Sequence, residues 1–212
     1  MQVSLETLST SLRHRLRDLP TRADGREQLE AELSYGRHRG PAPASTNLAA
    51  VLLLLYPRAN RWHIPLTLRP ATMAEHAGQV SFPGGMVEPD ETNLQAALRE
   101  TNEELGIATD GIDILGQLSD SYVFITNYLV TPWVGILDSE PEWVPDPHEV
   151  AEVLHLPLTA LQEPIAIERY IRRAGGIDFG VPYLPLDSHR IWGATSMMLG
   201  EFAAVLANCD LD

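Results

Sequence analysis

The segment from Gly84 to Ile107, GGMVEPDETNLQAALRETNEELGI, constrains the fold more than any other stretch of the chain. A glycine pair opens it, an acidic loop follows, and the apolar spacing predicts a helix from about Thr92 to Leu105. Leu94, Ala97, Leu98, Thr101 and Leu105 form a stripe suited to packing on a sheet. Glu100, Glu103 and Glu104 stand at i, i+3 and i+4, so their carboxylates crowd another face. Like charges this close repel, and a divalent cation reverses the sign; hard carboxylate oxygens suit Mg²⁺ or Mn²⁺. Ala96 falls beside the glutamates and is expected to leave space for a metal and a phosphate. Arg99 is placed to pair with a carboxylate, for which Glu91 in the preceding loop is the candidate.

An acidic helix face left to solvent is common in a chain of net charge −14. Against that stands the complete spacing: Gly85, five residues, Glu91, seven residues, Arg99-Glu100, then Glu103-Glu104 and Gly106-Ile107. It resembles the signature of the Nudix hydrolases, enzymes that cleave nucleoside diphosphates linked to another group. Every charged and glycine position of that signature is present. Thr101 stands where the family prefers a larger apolar residue; its methyl can still pack, and its hydroxyl can bond the carbonyl one turn back.

At 212 residues the chain is long enough to bury a substantial core. It holds no apolar run of the ~20 residues that a membrane span needs, and its start lacks the basic and apolar regions of a signal peptide. With a lone Cys209, these features fit a reducing, cytoplasmic compartment and exclude an internal disulfide framework. All fifteen basic residues are arginine, and the charge of −14 argues against a broad nucleic-acid surface. A small phosphorylated substrate remains compatible if metal ions and a few arginines neutralise it locally.

Leu5, Leu8, Leu12, Leu16 and Leu19 predict a helix stopped by Pro20, and a second helix is expected from Arg26 to Tyr35. Seven of the fifteen arginines lie in residues 1–40 against six acids, so that stretch carries +1 and the remainder −15. A helical cap over one sheet face is the favoured reading, with a role in gripping substrate phosphates or a partner subunit as the alternative, and residues 40–45 read as a linker. Leu48 to Tyr56 suits a central buried strand. Pro57 to Asn60 turns the chain into a second strand, Trp62 to Leu68, in which Pro65 predicts an edge or a bulge. Further strands are expected over 112–118 and 123–137, the latter broken by Pro132. A proline-rich acidic loop follows at 138–148, and a helix is expected from near Thr159. Arg169, Arg172 and Arg173 suggest a basic helix face, and Ile191 to Leu206 an amphipathic terminal helix with Ala194, Met198, Phe202 and Val205 inward.

Outside the signature, HAGQVSFPGG, NYLVTPWVGIL, PHEVAEVLHLPL and IWGATSMML look like segments of the coenzyme A diphosphatase subgroup of Nudix hydrolases. Thr67, Arg69, Gly78 and Phe82 to Gly85 match that subgroup's upstream element; Pro65, Pro70 and Ala74 depart from it, Ala74 replacing an arginine. The resemblance implies an α/β (α+β) Nudix fold over residues 47–212, a mixed sheet between helices, preceded by a helical extension over 1–46. It implies water attack on the diphosphate of coenzyme A or its derivatives, giving 3′,5′-ADP and 4′-phosphopantetheine. Glu100, Glu103 and Glu104 would bind Mg²⁺ or Mn²⁺, with the Gly84 carbonyl as a further ligand, and Arg99 would orient carboxylates through Glu91. Glu149, with Glu152 in reserve, is the candidate for an additional carboxylate from a later loop. For the 3′-phosphate the candidates are Arg69, then Arg58 or Arg61. His76 is read as a structural hydrogen-bonder, and Trp133 and Trp192 as core. No nucleic-acid or membrane partner is expected, and a homodimer stays open. Two other readings stand beside this one: a hydrolase of another nucleoside diphosphate such as ADP-ribose or NADH, and a nucleotide sensor, against which the intact glutamates argue.

Overall fold

A computed structural model describes residues 4–17, 19, 25–34, 37, 40–72, 77–207 and 209; Pro20, Ala74 and His76 lie outside the described residues. Its organising strand is β1, Asn47–Arg58. The apolar run is continuous because both faces of this strand are covered. Ala50, Leu52, Leu54 and Tyr56 point into one core and Ala49, Leu53 and Leu55 into the other. The strand's turn is tighter than expected. Pro57 and Arg58 still belong to β1, and only Ala59 and Asn60, both at positive φ (48° and 58°), make the bend.

On one side β1 pairs in parallel with β7, Tyr128–Ile136, over nine residues from Asn47↔Tyr128 to Leu55↔Ile136. On the other side two partners share it. The hairpin strand β2, Arg61–Leu68, pairs only with residues 56–58, and β4, Gly84–Met86, takes residues 49–51. Beyond the hairpin β2 turns to β8, Glu152–Pro157, and at its end to the short β3, Val80–Ser81. Pro65 lies between the β1 and β3 pairings of β2, so a residue without an N–H sits where β2 has a ladder only towards β8. Pro132 is placed similarly. It lies within β7 rather than breaking it, where β5, Asp113–Gln117, gives way to β6, Ser121–Val123, and its carbonyl accepts from Leu118 N at 2.9 Å.

Three α-helices among the described residues cover this sheet. The helix α2, Asn93–Leu105, lies on the face of Ala50, Leu52, Leu54 and Tyr56. On the opposite core α1, Leu5–Arg17, buries Leu8, Leu12 and Leu16, and α3, Ala194–Leu206, packs beside it. The result is the expected mixed sheet between helices. No helix among the described residues is long and apolar enough to cross a membrane.

Four expectations are corrected. Residues 26–34 form only a 3₁₀ turn, Glu27–Leu29, because the Glu32 N–H bonds to Gly180 O at 3.2 Å instead of to its own chain. The segment holding Arg169, Arg172 and Arg173 is a strand, β9 (Glu168–Ala174). With β10 (Ile177–Leu186) and β11 (His189–Trp192) it builds a separate three-stranded sheet, folded at Gly175 and Gly176, both at positive φ (58° and 79°). Near Thr159 the chain makes a 3₁₀ turn, Leu158–Leu161. Finally, Ile191 and Trp192 belong to β11, and Trp192 is half-buried under the Arg172 guanidinium at 4.6 Å rather than in the core.

The terminal helix α3 is buried nearly all round and carries Glu201 inward, 2 % exposed. Its carboxylate receives Arg26 Nε at 2.9 Å and Ser119 N at 3.1 Å, and Arg26 is equally buried. Removing one partner of such a pair strands a charge away from water. We expect Arg26→Ala to cost about 3–5 kcal/mol in urea unfolding and to lower Tm by on the order of 10 °C. A loss below ~1 kcal/mol, the level of an exposed pair, would show that the N-terminal segment is not anchored by this contact.

Candidate active site

The start and end of α2 are both fixed locally. Thr92 caps it, accepting from Gln95 N at 3.3 Å while the Gln95 side chain accepts from Thr92 N at 2.8 Å. Asn93 Nδ2 also donates to Thr131 on β7 at 2.9 Å. At the far end Gly106 adopts a left-handed conformation (φ 67°), and its N–H closes the helix on Asn102 O at 2.8 Å. A Cβ at Gly106 would lie 2.4 Å from Val144 O, so the loop after β7 crosses here at closest approach. That loop is then tied to α2 by its backbone: Val144 N donates to Leu105 O at 3.0 Å and Asp146 N to Glu104 O at 3.1 Å. A turn at Asp146, accepting from Val150 N at 2.8 Å, and the bond from Ala151 N to Leu68 O bring Glu149 over the helix.

Glu100, Glu104 and Glu149 thereby each place a carboxylate oxygen within 4.8 Å of the others. The glycine pair makes room for this. A Cβ on Gly84 would come 2.3 Å from Ala50 O, and one on Gly85 would come 2.5 Å from the Glu100 carboxylate. Ala96, expected to border open space, is instead fully buried against β1. Thr101 behaves as expected: it is buried, and its hydroxyl donates to Ala97 O at 2.6 Å.

Arg99 organises the surrounding carboxylates. It contacts Glu91 through both Nη2 (2.8 Å) and Nε (3.2 Å), Glu100 at 2.8 Å, Glu103 at 2.9 Å and the Met86 carbonyl at 3.0 Å. These contacts hold the Glu91 carboxyl below the usual range and raise the guanidinium above its own. Glu103, expected as a third metal ligand, lies outside the close group: Arg99, one turn earlier, draws its half-exposed carboxylate away. Glu152 is also elsewhere, exposed on β8 and 3.5 Å from His189.

Burial pushes the Glu104 carboxyl up to about 8, with Glu100 and Glu149 adding to the effect and Arg69 and the Gly84 backbone opposing it. Burial also raises Glu100, against the pull of Arg99. Glu104 is 2 % exposed, and its Oε2 has no hydrogen-bond partner among the described residues. A buried, unsatisfied carboxylate oxygen facing two more carboxylates fits a divalent metal ligand set of hard oxygens.

The arginines named for substrate separate in space. Arg69 follows β2 and acts on Glu104; nothing in the sequence spacing announces that proximity. Arg58 and Arg61 stand at the β1–β2 hairpin, Arg58 paired with Glu140 at 2.9 Å. Arg58 is seven residues beyond Val51, the partner of Gly84, roughly 23 Å of strand.

The NUDIX domain model matches residues 46–173. A protein of Photorhabdus laumondii called uncharacterized Nudix hydrolase NudL is 36% identical over 143 residues, covering 65% of this chain and 74% of that one. A protein of Yersinia enterocolitica with the same name is 34% identical over 171 residues, covering 77% and 84%. A crystal structure of a Nudix hydrolase from M. smegmatis, RenU, superposes with a TM-score of 0.47 at 23% identity, over 54% of this chain and 73% of that one.

The raised Glu104 pKa gives a signed pH dependence. Between about 4.5 and 8 the native, metal-free protein keeps a proton that the unfolded chain has lost, so stability falls as pH rises through that window. We expect Glu104→Gln to remove this slope and, at pH 8.5 with chelator, to be more stable than wild type by on the order of a few kcal/mol. Mg²⁺ should stabilise wild type and not the variant. Parallel pH profiles in urea unfolding would contradict the placement of this charge.

Proposed function

The chain belongs to the Nudix hydrolase family, and from that premise we propose that it hydrolyses the diphosphate of coenzyme A or its acyl derivatives. The hydrolase assignment follows from family membership; the convergence of Glu100, Glu104 and Glu149 is the observation that carries the proposed site. The substrate reading is supported by the segments around Arg69, Phe82 to Gly85, residues 127–137 and residues 191–199, which resemble coenzyme A diphosphatases.

In this reading Glu100, Glu104 and Glu149 hold Mg²⁺ or Mn²⁺, and Glu103 and the Gly84 carbonyl are the next available oxygens. A divalent cation bound there neutralises diphosphate oxygens and lowers the pKa of water. Arg99 is a positioning residue: anchored by Glu91, it fixes Glu100 and Glu103 without reaching substrate. Glu149 is the one member of the close group carried by a loop rather than by α2. Its carboxylate accepts the proton of the attacking water as the new phosphorus–oxygen bond forms and the bond to the bridging oxygen breaks. Coenzyme A then gives 3′,5′-ADP and 4′-phosphopantetheine. Arg69, Arg58 and Arg61 are the proposed substrate-binding cations. We also take residues 1–46 as an extension and 47–212 as the hydrolase domain.

The test is hydrolysis of coenzyme A, 3′-dephospho-coenzyme A, ADP-ribose and NADH with Mg²⁺ or Mn²⁺. We expect the highest kcat/KM on coenzyme A and none after chelation. Glu149→Gln should lower kcat by about 100-fold or more with little change in KM, as befits a group acting in the transition state. A preference for ADP-ribose or NADH would overturn the substrate reading and leave the family's chemistry in place.

A further inference from the structure

Arg69 leaves β2 at the point where the structure brings the carboxylate cluster together. The preceding residue, Leu68, accepts from Ala151 N at 2.8 Å, two residues after Glu149. Arg69 N donates to Gln79 O at 3.0 Å, and its carbonyl accepts from Gly78 N at 3.1 Å. The backbone of Arg69 is thus fixed between the loop that delivers Glu149 and the segment that leads to the glycine pair.

Two buried polar atoms in this neighbourhood lack hydrogen-bond partners among the described residues: Arg69 Nε and Glu104 Oε2. One is a cationic donor and the other a carboxylate oxygen, and the charge of Arg69 acts on Glu104. Left as they are, each forfeits the hydrogen bond that a buried group ordinarily makes. A cation against Glu104 Oε2 and an anion against Arg69 Nε would satisfy both. A diphosphate held on a divalent metal is such a pair, since its non-bridging oxygens carry the negative charge. Three carboxylates and a diphosphate also bring together more negative charge than the metal alone offsets, and Arg69 supplies a further positive one.

We infer that Arg69 binds the diphosphate of the substrate, donating from Nε to a non-bridging oxygen beside the carboxylate cluster, and does not bind the 3′-phosphate. This rests on the proposed site, since the diphosphate must lie at the cluster, but not on coenzyme A being the substrate. Arg58 and Arg61, at the hairpin, are left for the distal parts of a long substrate.

The experiment is calorimetric titration of α,β-methylene-ADP, a non-hydrolysable diphosphate without a 3′-phosphate, into Mg²⁺-loaded wild type, Arg69→Lys and Arg69→Ala. Arg69→Lys keeps the charge beside Glu104 and guards against loss of fold. Loss of one charge-assisted hydrogen bond should weaken this ligand by about 10- to 100-fold. Mn²⁺ affinity without nucleotide should hold, and kcat/KM should fall by the same factor on coenzyme A and 3′-dephospho-coenzyme A. Unchanged α,β-methylene-ADP affinity overturns the inference. So does a loss confined to coenzyme A, which would put Arg69 on the 3′-phosphate, or a parallel loss of Mn²⁺ affinity, which would mean that Arg69 acts only through Glu104. Should wild type prefer ADP-ribose, the coenzyme A reading fails, and the titration together with kcat/KM on ADP-ribose still decides the role of Arg69.

Discussion

Mutual repulsion among Glu100, Glu104 and Glu149 is the constraint around which the local structure is arranged. Three carboxylates within 4.8 Å of one another, one of them 2 % exposed, are unfavourable in a bare protein. What surrounds them forces the approach. Gly85 removes the one side chain that would strike Glu100, and Gly106 lets the later loop cross the end of α2. Backbone bonds from Val144 and Asp146 to the last carbonyls of that helix leave Glu149 little freedom to withdraw. Among the described residues Glu100 is the member that pairs with a cation, Arg99; Glu104 makes no ion pair there, and burial together with the other two carboxylates raises its pKa against the opposing charge of Arg69. Such a cluster is stable in its charged form once a divalent cation occupies it.

The fold brings that cluster to one position on the sheet. Because β2 leaves β1 after the hairpin, β4 can pair with the first half of β1 and set Gly84 and Gly85 beneath α2. The departing β2 simultaneously carries Arg69 towards the loop of Glu149 through the Leu68–Ala151 bond. On the opposite core the buried Arg26–Glu201 pair and the leucines of α1 complete the second layer without entering the site.

Legibility in the sequence followed the range of the interactions. The helix α2, its acidic face, its glycines and the Arg99–Glu91 pair were readable, since periodicity, capping and i+4 spacing are local. The central strand was readable from its unbroken apolar run. Glu103 lies outside the close group, on Arg99, and spacing beside Glu104 does not show which carboxylate Arg99 takes. Glu149 was named from the family's habit of using a later carboxylate; what positions it is backbone bonding, which leaves no side-chain signature. The sheet of β9, β10 and β11 is hard to read from sequence because its arginines resemble a helix face; its local signal is the Gly175-Gly176 pair at the hairpin turn. Pro65, read as an edge or a bulge, does sit where β2 is paired on one side only, whereas Pro132, read as a break, lies within β7 at a gap between β5 and β6 that only the assembled sheet creates.

The most direct measurement is anomalous diffraction from crystals soaked in Mn²⁺, with data at the manganese edge. The account predicts a peak bounded by Glu100, Glu104 and Glu149, with at least one oxygen of each within about 2.5 Å and Glu103 still on Arg99. A peak held by Glu91 and Glu103 instead, or no peak at a concentration that supports turnover, would contradict it.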